Sequence, residues 1–94
     1  MPRLLVSVGS PAGLHTRPAA LFARAAARQP VRVTVRKPGR NPVDARSLLA
    51  VLTLAACYGD TLELATDSDH AHAQAALDEL AGLLGGDFDN GDGR

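Results

Sequence analysis

Val31-Arg32-Val33-Thr34-Val35-Arg36 alternates apolar and polar residues without a break. Successive strand residues point to opposite faces, so one face of this segment is buried and the other meets water. All-parallel sheets are covered on both sides, so a strand wet on one side predicts an antiparallel sheet. Immediately upstream, Gln29-Pro30 stops an alanine-rich helix that begins near Thr16 and runs to about Arg28. Before it, Leu4-Leu5-Val6-Ser7-Val8 reads as a first strand with Leu4, Val6 and Val8 on one face. Gly9 to Gly13 is the connecting loop. Downstream, Pro38-Gly39-Arg40-Asn41-Pro42 is a turn and Val43-Asp44-Ala45 a short returning strand.

From Ser47 the period becomes helical. Ser47 is the expected N-cap, and Leu48, Val51, Leu54 and Ala55 form an inward stripe, which leaves Leu49 and Leu52 as surplus leucines on the surface. Tyr58-Gly59 is expected to close this helix, and Thr61 to Ala65 alternates as a fourth strand. Asp67, Ser68 or Asp69 is expected to cap a last helix with Ala73, Leu77, Leu80 and Leu84 inside. The order β-α-β-β-α-β-α, with three helices on one face of a four-stranded antiparallel sheet, is α+β. Residues 1–84 make one domain, and the Gly- and Asp-rich residues 85–94 are expected to be a disordered tail.

The composition excludes several classes. There are 94 residues, 46% hydrophobic, and only three aromatics, so the core is built from Leu, Val and Ala and a base-stacking nucleic-acid surface is not expected. The single cysteine, Cys57, cannot form an internal disulfide and reads as a small buried hydrophobe. No N-terminal apolar stretch reads as a signal peptide or a membrane span, and the cytoplasm is the expected compartment. The net charge of +0 conceals a split: nine of ten basic residues lie at or before Arg46, and nine of ten acids at or after Asp60. Arg17, Arg24, Arg28 and Arg46 fall on or beside the first two helices, where docking on an acidic protein is the fitting use, while Arg32 and Arg36 read as a solvated strand face. His70 and His72 are two apart on a helix and point away from each other, so no metal site is expected.

The octapeptide Gly13-Leu14-His15-Thr16-Arg17-Pro18-Ala19-Ala20 carries the chemistry. Proline in a first helical turn followed by alanines marks a helix start, and the first N–H groups of a helix lack internal acceptors and favour anions. His15 at that mouth is a nucleophile near neutral pH, and Arg17 brings a planar set of donors suited to phosphate oxygens. The three together suit transient phosphorylation of His15.

This octapeptide resembles the active-site motif of the histidine-containing phosphocarrier (HPr) family of the bacterial phosphoenolpyruvate-dependent sugar phosphotransferase system (PTS). Arg46 to Leu54 is similar to that family's regulatory-serine segment and short helix, and Gly59 to Leu64 to the following strand. The resemblance implies an open-faced β-sandwich, a monomeric carrier without cofactor or substrate pocket, and a phosphoryl group received on His15 from Enzyme I and passed to a IIA domain. It implies that Arg17 and the amides of Thr16 and Arg17 share the phosphate charge, and that a serine kinase/phosphorylase acts on Ser47 in some hosts. Arg24, Arg46, Leu48, Leu49 and Leu52 are the candidate docking residues. Ala12 departs from the Asn or Ser common in the family, and the turn at Pro38 to Pro42 is one residue longer. Two other readings stay open: a paralogue in a nitrogen-related or dihydroxyacetone-kinase phosphorelay, and a small α+β regulatory or nucleic-acid-binding module in which His15 is incidental.

Overall fold

The computed structural model describes residues 2–68 and 71–86. They form β1 (Arg3–Ser7), α1 (Thr16–Ala27), β2 (Thr34–Arg36), β3 (Val43–Asp44), α2 (Leu48–Leu52), β4 (Thr61–Ala65) and α3 (Ala73–Gly85). The strands make one antiparallel sheet in the order β1-β4-β2-β3. The helices pack on one face: α3 covers β1 and β4, and α1 lies against α2 and α3. The result is the α+β class that the element order predicts, in the open-faced sandwich that the family resemblance implies.

Apolar burial drives this layering. The inward residues Val8, Val33, Val35, Leu62 and Leu64 of the sheet side meet Phe22 of α1, Val51 of α2 and Leu77, Leu80 and Leu84 of α3. Each side chain of this size contributes about 1.5–3 kcal/mol when withdrawn from water. The expected inner face of the last helix is therefore correct, with Ala76 added to it. Val31 and Val33 are buried as the alternation requires, yet only Thr34–Arg36 joins the ladder, because β3 offers two residues and one further bond, Ala45 N–H to Val33 O at 3.0 Å.

Several local expectations are corrected. The second helix ends at Leu52, not at Tyr58, and the chain then turns so that Ala55 has a φ of +50°. Leu54 is still buried, but from a turn. Cys57 is exposed rather than buried, since it stands in the turn before β4, its N–H donating to Asp60 Oδ2 at 2.8 Å. Neither Asp67 nor Ser68 caps α3: Thr66 Oγ1 accepts the Ser68 N–H at 3.2 Å in a turn after β4, and the helix starts later, with His72 at the N-cap. Asp69 and His70 lie outside the described residues. So do residues 87–94, most of the expected tail, while Gly85 belongs to α3.

The sheet's open face is wet but not merely solvated. Glu63 is 8% exposed and lies between Arg36 Nε at 2.6 Å and Arg3 Nη1 at 3.3 Å. The Arg36 guanidinium first, and Arg3 after it, hold the Glu63 carboxyl below its usual range. Arg32 pairs with Asp44 at 3.3 Å. Alternation told which side these arginines occupy; it could not tell that acids from β3 and β4 would stand beside them.

Candidate functional site

The loop from β1 to α1 is stitched to the segment that follows α2. Val8 N–H donates to Asp60 O and Gly59 N–H to Val8 O, both at 2.9 Å. Leu14 N–H donates to Ala56 O at 2.9 Å, and the Leu14 side chain is buried in the core. Gly13, with a φ of +81°, passes so close that a Cβ there would stand 2.9 Å from Ala56 O. Only glycine combines that backbone conformation with that approach. His15 follows directly and is exposed, so an anchored backbone presents its ring at the surface.

His15 is the N-cap of α1, in extended conformation, and its side chain makes no capping hydrogen bond. The first helical bond of the site runs from Ala19 N–H to His15 O at 3.0 Å. Pro18 has no N–H to offer. The donors of this first turn that lack an intrahelical acceptor are therefore the amides of Thr16 and Arg17, beside an exposed Arg17 side chain. Pro18 and Ala19 are buried, which fixes the turn from below. This end of α1 offers an anion two amides, and the Arg17 guanidinium projects from the same turn.

α2 approaches α1 from the other side. Ser47 caps it, its Oγ accepting the Ala50 N–H at 3.2 Å. Arg46 and Leu48, the neighbours of Ser47 in the chain, line a shallow, mainly apolar groove with Ala20, Ala23, Arg24 and Ala27 of α1. The structure thus brings Arg24, Arg46 and Leu48 together. Leu49 is 77% exposed, as expected of a surplus leucine, whereas Leu52 is only partly exposed and packs on the core, since the short helix sits deep at its C-terminal end. Arg46 is less available than its position suggests. Its Nε and Nη2 lie 3.1 and 2.9 Å from the two carboxylate oxygens of Asp44, and its N–H donates to the first of them at 2.9 Å. The Arg46 side chain first, and its N–H next, lower the Asp44 pKa to about 2.

One residue escaped the sequence reading. Leu21 is 42% exposed on α1, and Arg17, Leu21, Arg24 and Arg28 recur at helical spacing on the exposed face. The signal was present as spacings of four, three and four.

No helix among the described residues is long and apolar enough to cross a membrane, and the described residues hold no group of three or more metal-ligating side chains.

Comparison with known proteins bears on the same residues. The family model described as "PTS HPr component phosphorylation site" matches residues 4–85, which contain the whole site and all seven elements but the first residue of β1. The chain is 48% identical over 79 residues to the phosphocarrier protein HPr of Streptomyces coelicolor, an alignment covering 84% of this chain and 83% of that protein. It is 40% identical to HPr of Pseudomonas aeruginosa, over 98% of this chain and 100% of that one. Among solved structures, HPr from Bacillus anthracis superposes with a TM-score of 0.79 at 31% identity, covering 88% of this chain and 95% of the other. Sequence, length and topology agree throughout, and the chain belongs to the HPr family of PTS phosphocarriers, proteins that carry a phosphoryl group rather than catalyse a reaction of their own.

Proposed function

We propose that His15 is the phosphoacceptor, charged by Enzyme I from phosphoenolpyruvate and discharged to the IIA domain of a sugar permease. The observation that carries this reading is the open first turn of α1 next to His15, where Pro18 offers no N–H and the Thr16 and Arg17 amides have no intrahelical acceptor. On charging, the N–P bond of the Enzyme I phosphohistidine breaks as the bond to His15 Nδ1 forms, and on discharge the His15 N–P bond breaks as one to the IIA histidine forms. Each step is roughly in line, so catalysis is positioning and charge stabilisation shared by the two partners. After transfer, the phosphate charge is spread over the two amides and the Arg17 guanidinium.

The groove between α1 and α2, with Arg24 on one rim, Leu48 in its lining and Leu49 and Leu21 exposed on the same two helices, is the surface we assign to docking. Its guanidinium groups suit an acidic partner. Ser47 lies in the chain between two lining residues of this groove, so a phosphate placed there by a serine kinase would put a dianion at the contact and weaken it. The cytoplasm, where phosphoenolpyruvate is made, is the compartment this reading requires.

The test is labelling with Enzyme I and labelled phosphoenolpyruvate. One acid-labile, alkali-stable phosphate per chain is expected, absent from His15→Ala. Full labelling of that variant would move the site elsewhere.

A further inference from the structure

Among the described residues Ala55 is the only non-glycine residue with a positive φ. A residue with a Cβ is disfavoured at +50° and persists there only when its surroundings hold it. Lys37, the residue after β2, supplies that hold. Its Nζ donates to Ala55 O at 3.3 Å and lies 3.5 Å from Asp60 Oδ2. The same carboxylate oxygen accepts the Cys57 N–H at 2.8 Å. One ammonium and one carboxylate therefore tie the start of the 55–60 segment to its end. Both ends of that segment bear on the His15 loop: Ala56 O holds the Leu14 N–H, one residue before His15, while Asp60 O holds the Val8 N–H at the loop's origin. The Cys57 N–H first, and Lys37 after it, keep the Asp60 carboxyl below its usual range.

We infer that Lys37 and Asp60 are positioning residues for phosphoryl transfer, acting through Ala55 and Ala56 to fix the backbone from which His15 projects. The inference rests on His15 as the acceptor. Lys37 and Asp60 are not assigned to the docking groove, which is lined from α1 and the start of α2.

The experiment compares Lys37→Met, Asp60→Asn and Lys37→Arg with the unmodified chain. The Leu14 amide is followed by hydrogen exchange, and kcat and KM are measured with the carrier as substrate of Enzyme I. Partly exposed ion pairs have small effects, so in the first two variants Leu14 exchange should rise, and kcat fall, by about two- to fivefold, with KM within about twofold. The β4 amides should exchange as before. Lys37→Arg should keep most of the wild-type behaviour. Ala55→Gly in the Lys37→Met background should restore both readouts, because glycine takes this conformation unaided.

Unchanged Leu14 exchange and kcat in Lys37→Met would overturn the inference. So would equal acceleration of Leu14 and β4 amides, which is plain loss of stability, or KM moving in opposite directions in Lys37→Met and Asp60→Asn at constant kcat, which is charge steering. If the unmodified chain is not labelled on His15, the phosphoacceptor reading fails by itself, and Leu14 exchange still decides whether the latch exists.

Discussion

The starts of α1 and α2 face the same physical problem and solve it in opposite ways. Each has amides in its first turn without a helical acceptor. At α2 the chain answers from within: Ser47 Oγ takes the Ala50 N–H, and the preceding turn is locked by the Asp44–Arg46 pair. At α1 no capping side chain intervenes, Pro18 removes one donor, and the amides of Thr16 and Arg17 remain for an external anion. One end is closed within the fold, and the other is the one we propose receives the phosphate.

Substitutions can break that division of labour, and the largest effect is expected at α1. Arg17→Met should lower phosphoryl transfer from Enzyme I by about tenfold or more, the scale of a hydrogen bond to a charged group, at nearly unchanged melting temperature. A stability loss without a transfer defect would place Arg17 among the structural residues. At α2 the pattern should reverse. Ser47→Ala should cost about 1 kcal/mol, seen as a melting temperature lower by roughly 4–8 °C, while transfer stays near normal.

A smaller effect is expected with pH. Asp44 ordinarily titrates near 3.8 and is lowered to about 2 in the folded chain, so it binds its proton more readily unfolded. Its contribution is complete above the unfolded value and disappears as pH falls through the folded one. The stability difference between the unmodified chain and Asp44→Asn should therefore be constant above pH ~5 and shrink between pH ~4 and ~2. A difference that grows on acidification would contradict this assignment. Least of all should Leu49→Gln alter folding, by no more than about 0.5 kcal/mol, because the side chain is already in water. Its effect should be a raised KM with Enzyme I. A protein that melts early but docks normally would return Leu49 to the core.

How far the sequence could be read follows from which forces are local. The β2 alternation, Pro18 after His15, and Leu77, Leu80 and Leu84 at helical spacing each express a period or a backbone constraint within one segment, and all were placed correctly. Leu54 and Ala55 kept the helical period too. There the period misled, because Ala56 O and Asp60 O are drawn to Leu14 and Val8 of a distant loop and the helix ends early. Cys57 followed the same error: buried on a helix in expectation, exposed in a turn in fact. The partner of Arg36 is likewise invisible in the sequence, since an ion pair across strands depends on register that no single segment contains.

The central claim is that the open start of α1, and not the capped start of α2, receives the phosphate. It is tested most directly by amide NMR spectra recorded before and after phosphorylation with Enzyme I and phosphoenolpyruvate. The account predicts that the amides of Thr16 and Arg17 shift most, as donors to the new oxygens, while Ala50 stays in place behind Ser47. Shifts centred on Ala50 or on the neighbourhood of His72, with Thr16 and Arg17 unmoved, would contradict it.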